Sequence, residues 1–269
     1  MPRDASLDPT RPSRAYVAFG EPLPPGYVTL ADAATPSGFA HLEATLRPLT
    51  ETDRKAALTV VHYAVAAVAE TVLVWLLEDG ILLDLEPSDL GLCLDETGAS
   101  TAWLRSAPEA RQQDPTSAGE IGWRLIGPVV EAAIGLGGTP RRGTTTIAAD
   151  ALVAAARRTG RQLGREPDDA WLQSFATGLG RPDHPLGRPL QIWPDPGPPV
   201  TYHVPRVCCV LATDPSDHAC PTCPQLPSDA ARAASLLALL NDLSDEDFAA
   251  ETGRARVLGG QMPDVRAEG

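Results

Sequence analysis

The sequence predicts an α+β fold: a mainly helical body with a small antiparallel sheet, followed by a C-terminal four-cysteine segment. Three observations carry that reading. Prolines and glycines crowd residues 1–36 and 178–227 but are sparse in 52–78 and 144–176, which separates long helix-forming stretches from irregular ends. The runs ILLDLE, DLGLCLD and STAWLR between positions 81 and 105 have the length and residue types of short strands. Four of the five cysteines fall between 208 and 223, beyond the last long helical stretch. With 269 residues and 43% hydrophobic content, the chain is long enough to bury a sizeable core.

Taken in order, residues 1–36 read as a largely irregular N-terminal arm with a short strand around Ala15 to Phe19. A mainly helical body with a small sheet follows over 37–180. Ser37 is the expected cap of a short helix to about Arg47. Thr50 and Asp53 have the spacing of a capping box for the longest helix, which Gly80 stops. Glu96-Thr97-Gly98 is the expected hairpin turn between the last two strands. Ser117 and Glu120 repeat the capping-box spacing and open a helix to about Leu136, in which Pro128 removes one backbone donor and is expected to introduce a kink. Further helices are expected over 144–159, ended by Gly160, and from Pro167 to about Thr177.

A third region, 181–252, holds a proline-rich connector, the cysteine segment and C-terminal helices, and 253–269 is a polar tail. The stretch from Gly178 to Pro205 reads as loop, ordered by packing of Trp193. Ser228 is expected to cap a helix through about Asn241, and Ser244 with Asp247 a short one after it.

Composition excludes some function classes. The formal charge of -13, from 22 basic and 35 acidic residues, opposes general binding to nucleic acid or to an anionic membrane. The N-terminal MPRDASLDPTRPSR has no apolar core, so no signal peptide is expected and the predicted location is cytoplasmic. Residues 56–77 approach the length of a membrane span. His62 and Glu70 lie within them, however, and a buried core helix is expected in place of an integral membrane segment.

The chemistry is concentrated in VCCVLATDPSDHACPTCPQLP, where Cys208 and Cys209 are adjacent and ten residues separate them from Cys220-x-x-Cys223. A Cys-x-x-Cys turn lets two thiolates converge on one metal, and a second pair completes four-sulfur coordination. In a reducing compartment such thiols serve metal or redox chemistry more often than disulfides. Soft thiolates select iron-sulfur clusters, zinc or copper(I). The adjacent pair would point to opposite faces of a regular strand, an arrangement that suits two irons better than a single zinc. A redox Cys-x-x-Cys opening a helix is opposed by Pro221 and Pro224.

This segment resembles the C-terminal motif of the FhuF-like ferric siderophore reductases: the adjacent pair, the ten-residue interval, the Cys-x-x-Cys and the proline after it, here Pro224. The resemblance covers about Arg206 to Leu226. It implies a 2Fe-2S cluster held by Cys208, Cys209, Cys220 and Cys223, and one-electron reduction of a ferric siderophore, of hydroxamate type, that releases iron(II). No flavin or nicotinamide motif accompanies it. Gly135-Leu136-Gly137-Gly138 follows a helix and reads as a helix stop, so a separate electron donor such as a ferredoxin or reductase is implied. An iron-sulfur sensor or electron carrier without turnover, and a structural four-cysteine zinc protein, are the alternative readings.

Other residues are weaker candidates. His184, His203, His218 and Thr222 flank the cysteines and could tune a cluster or shape a substrate site. Cys93 and His62 read as core or boundary residues. Arg141, Arg142, Arg157, Arg158, Arg161 and Arg165 form the densest basic region, read as solvated helix faces, with docking of an acidic donor or anionic siderophore as the functional reading.

Overall fold

A single long apolar helix organises the body. The computed structural model describes residues 17–20, 23–50, 52–94, 100–105, 110–111, 114–180, 187–194, 199–207 and 221–252, and the chain over these is mainly helical with small sheets, an α+β fold. The long helix runs as α3 (Asp53–Val68), one π turn (Ala69–Leu73) and α4 (Val74–Asp79). It stops at Gly80, whose φ of 72° is left-handed, as the sequence predicts. By length and composition it could cross a membrane, but 78% of its apolar window is buried inside the protein. Its neighbours are α2 (Pro36–Leu46), α5 (Pro115–Gly135) and α6 (Arg141–Gln162). Trp75, Val61, Val68 and Leu76 on it are fully buried, and such large apolar side chains contribute about 1.5–3 kcal/mol each.

The caps of α2, α3 and α5 sit two or three residues from the expected ones. Thr52 caps α3 by accepting the Lys55 amide at 3.2 Å, while Thr50 donates back to the Leu46 carbonyl. Thr35, not Ser37, caps α2, with Pro36 in the first helical position. Asp114, not Ser117, caps α5, accepting the Ser117 amide at 2.8 Å. The helix α5 continues through Pro128 to Gly135. The sixth helix starts three residues earlier than expected and runs through Gly160 to stop before Gly164, whose φ is +67°. Gly160 is therefore a packing residue: a Cβ there would lie 2.5 Å from Pro167 Cδ and 2.8 Å from the Arg165 carbonyl. Asp168 caps α7 (Asp169–Gly178). The helices α5 and α7 cross where Gly119 meets the Phe175 carbonyl and Gly178 meets the Thr116 carbonyl, at 2.0 and 1.8 Å from a notional Cβ. No side chain fits there.

The main sheet has the order β1–β5–β4–β2. Strands β4 (Leu90–Leu94) and β5 (Ser100–Leu104) form the expected antiparallel hairpin, with Leu92 opposite Ala102, and β2 (Val28–Thr29) pairs antiparallel with β4. At the other edge β1 (Val17–Phe19) adds parallel to β5. The turn expected at Glu96-Thr97-Gly98 lies outside the described residues. The run ILLDLE contributes β3 (Leu82–Leu83), which pairs with β6 (Ala110–Arg111) and not with the hairpin. Part of the stretch expected to be irregular is folded into the body. Thr29 caps α1 (Leu30–Ala33), whose Leu30 and Ala33 are fully buried.

The larger difference follows Gly178. Where loop was expected, β7 (Arg188–Ile192) and β8 (Val200–Val204) form an antiparallel hairpin. The alternation of Leu190 and Ile192 and the run Val-Thr-Tyr-His-Val carry the strand signal that the prolines obscured. Trp193, expected to pack this stretch, is 61% exposed. The inward side chains Leu190, Ile192, Val200, Tyr202 and Val204 pack with Leu236 and Leu240 of α8 (Asp229–Asp242) and Phe248 of α9 (Asp245–Thr252) in a second apolar cluster. Ser228 caps α8, and Ser244 accepts the Asp247 amide at 3.1 Å, as expected from sequence. This unit rests on α6 through β8 and α9.

Candidate functional site

Two buried charged residues hold the flanks of the cysteine segment, one on α6 and one on α8. Asp150 lies on α6 in an otherwise apolar run, AADALVAA, with its side chain 5% exposed. Its carboxylate accepts the Gly187 amide at 3.0 Å, the Arg206 amide at 2.7 Å and His203 Nε2 at 3.3 Å. Gly187 precedes β7 and Arg206 follows β8, so one carboxylate closes both open ends of the hairpin. Burial opposes ionisation of Asp150. The bonds from His203 and from the Arg206 and Gly187 amides outweigh it and hold the carboxyl below the ordinary carboxylate range. His203, one of the histidines singled out beside the motif, is thus a buried structural partner. Arg206 stands two residues before Cys208, so the segment leaves the body from a fixed point.

Its far end is fixed by Arg232 on the first turn of α8. Cys223 lies on the approach to that helix, 5% exposed, and belongs to neither apolar cluster. Arg232, 6% exposed, donates from Nε to the Cys223 carbonyl at 2.9 Å and from Nη2 to the Pro224 and Leu226 carbonyls at 2.8 and 2.7 Å. Its Nη1 meets Asp229 Oδ1 at 2.9 Å. Arg188 of β7 grips the same Asp229 with both terminal nitrogens, at 2.7 Å on Oδ2. The paired guanidiniums, Arg188 first, hold the Asp229 carboxyl below its usual range.

Cys223 is the one motif cysteine among the described residues, and it is buried. Cys208, Cys209 and Cys220, with His184 and His218, lie outside them. Among the described residues no three His, Cys, Asp or Glu side chains gather as metal ligands. The donor chemistry nevertheless fits a soft metal centre: Cys223 is a buried thiol outside the apolar cores, in a turn whose carbonyls are drawn to a guanidinium. Cys93 lies on β4 in the body sheet, separate from this region.

The basic region is divided: Arg141, Arg142, Arg158 and Arg165 are exposed, as the sequence predicts, whereas Arg157 and Arg161 of α6 are buried. Arg157 and Arg161 have side chains 8% and 6% exposed. Arg157 pairs with Glu166 and with Asp169, at 2.7 Å. Arg161 donates to the Thr201 carbonyl, and its guanidinium lies 4.8 Å from the centre of the Tyr202 ring. Arg158 pairs with Glu251 at 3.0 Å, Arg165 donates to the Leu77 and Glu78 carbonyls, and Arg141 pairs with Glu131. These arginines clamp elements of the same chain together.

Two titratable side chains of the long helix, His62 and Glu70, carry a buried atom, Nε2 and Oε2, that meets no hydrogen-bond partner among the described residues. Burial lowers the His62 pKa and pushes Glu70, in the π turn, up to about 7.

Asp150, Arg188, Asp229 and Arg232 were missed in the sequence. A lone carboxylate in an apolar helical run was the available signal for Asp150, and an Asp-x-x-Arg start to a helix for the pair on α8. No family model matches the chain, and no curated protein matches it.

Proposed function

We propose that this protein is a cytoplasmic iron-sulfur oxidoreductase that passes one electron to a ferric siderophore, of hydroxamate type, so that iron(II) is released. The observation that carries this reading is the thiol pattern Cys208, Cys209, Cys220, Cys223. Its flanks support it: Asp150 holds the backbone entering the segment and Arg232 the backbone leaving it.

The four cysteines would hold a 2Fe-2S cluster, which when bound supplies a single electron. Hard siderophore oxygens bind iron(III) far more tightly than iron(II), so the substrate complex loosens on reduction. Outer-sphere transfer requires no nucleophile or general base from the chain. The electron comes from a separate donor of the ferredoxin or reductase class.

The test is to reduce anaerobically purified protein, remove excess reductant and follow the visible spectrum while a ferric hydroxamate is added. Re-oxidation in step with iron(II) appearance is expected, and Cys209→Ser is expected to lose cluster and turnover together. A coloured protein that ignores ferric siderophores would be a carrier or sensor. A colourless one containing zinc would be a structural clip. A fully metallated Cys209→Ser protein with normal turnover would refute the ligand assignment.

A further inference from the structure

A guanidinium enclosed by backbone carbonyls is an expensive way to close a loop, since neutral side chains or water could satisfy the same oxygens. Arg232 is such a group. It gathers the carbonyls of Cys223, Pro224 and Leu226 on two of its nitrogens and meets Asp229 with the third. Arg188 meets Asp229 from β7. Two guanidiniums and one carboxylate give this group a net charge of +1, with Arg232 the member that meets the Cys223 carbonyl, in a chain whose formal charge is -13.

We infer that Arg232 is the positioning residue of the cluster-binding segment, holding the Cys223–Leu226 turn in place and supplying the positive charge that favours the reduced state of the group bound there. This rests on the cluster reading proposed above. A four-thiolate 2Fe-2S centre gains negative charge when it takes up an electron, so a nearby cation stabilises the reduced form and raises the midpoint potential. Lysine would keep the charge but not the planar fork that reaches three carbonyls at once.

The experiment compares the full-length wild type with Arg232→Met, Arg232→Lys and Asp229→Asn after identical anaerobic reconstitution with iron and sulfide. Bound iron, thermal midpoint and potential by mediated redox titration are measured for each. Arg232→Met should lower the reduced-to-oxidised ratio at a fixed poise about tenfold, which is about 59 mV for one electron. Arg232→Lys should shift the potential less but retain less iron. Asp229→Asn leaves the carbonyl contacts of Arg232 in place and adds one net positive charge, so its potential should move upward, which keeps the test decisive if Arg232→Met fails to fold. A coloured wild type together with an Asp229→Asn potential that is unchanged or lower overturns this inference alone, as does an iron-replete Arg232→Met protein with unchanged potential. A colourless wild type overturns the cluster reading and this inference with it.

Discussion

Replacing Asp150 by asparagine tests how the cysteine segment is held to the body. The carboxylate accepts three donors: the Gly187 amide, the Arg206 amide and His203 Nε2. Asparagine has nearly the same shape but one acceptor oxygen, and its NH2 faces at least one donor that had been satisfied. A hydrogen bond to a charged group contributes about 1.5–3 kcal/mol, and a buried donor left unpaired costs more than a lost bond. The Asp150 side chain is 5% exposed, so solvent offers little compensation. Losing about 3 kcal/mol of anchoring corresponds to roughly a hundred-fold more frequent local opening. Amide hydrogen exchange reads this directly: Gly187 and Arg206 should exchange about a hundred-fold faster in Asp150→Asn, while amides of α3 keep their rates unless the whole chain is destabilised. The folded-state carboxyl sits below its ordinary value of 3.8, so its contribution is present above that pH and is lost as acid protonates it. Unchanged exchange at both amides at neutral pH would refute the anchor.

Two further outcomes follow from buried groups of the body. Glu70 titrates near 7 in the folded chain against an ordinary 4.5, so the folded state gives up stability as pH rises from about 4.5 to about 7; in urea unfolding, Glu70→Gln should gain on wild type by at most about 3 kcal/mol between pH 5 and pH 8, and a pH-independent gap would contradict the burial cost. Gly119→Ala raises helix propensity by about 1 kcal/mol, yet its Cβ would lie 2.0 Å from the Phe175 carbonyl, so a net loss of about 1–3 kcal/mol in urea unfolding is expected, and a neutral or stabilising result would show that α5 and α7 can part without cost.

The elements legible in the sequence were those whose signals are local. Gly80 ends the long helix and Ser228 and Ser244 open theirs because a left-handed turn or a capping hydroxyl acts within a few residues. The long apolar run over 56–77 marked the core helix for the same reason. What failed depended on partners distant in sequence. The β7–β8 hairpin was read as loop because Pro189 and the neighbouring prolines weigh against a strand, yet Pro189 occupies an edge position opposite His203, where a missing amide costs little. Arg157 and Arg161 of α6 were read with their exposed neighbours as a solvated face because nothing local announces Asp169 or the Thr201 carbonyl as their partners. Within the candidate site, the thiol spacing was legible, whereas the Asp150 and Arg232 anchors join residues far apart along the chain or satisfy main-chain groups that have no side-chain signature.

The join between the helical body and the C-terminal unit follows from one face of α6. Asp150, Arg157 and Arg161 recur at intervals of seven and four, which places them along one stripe of the helix, while Leu152, Val153 and Ala156 turn to the body core. The C-terminal unit keeps its own apolar cluster, and Asp150 and Arg161 meet it with directional contacts to amides, a carbonyl and an aromatic face. Such a seam is a poor source of net stability, because each buried charge gives up hydration before it gains its partner. It is a good source of geometry, because the amides of Gly187 and Arg206 must both reach the same carboxylate. The proposed electron-transfer centre would depend on fixed distance and exclusion of water more than on global stability, and Asp150 holds the Arg206 amide two residues before the segment that carries three of the four thiols. Removing one partner from this seam should therefore disturb the cysteine segment before it unfolds the body, which is the order of events that the Asp150→Asn exchange pattern would reveal.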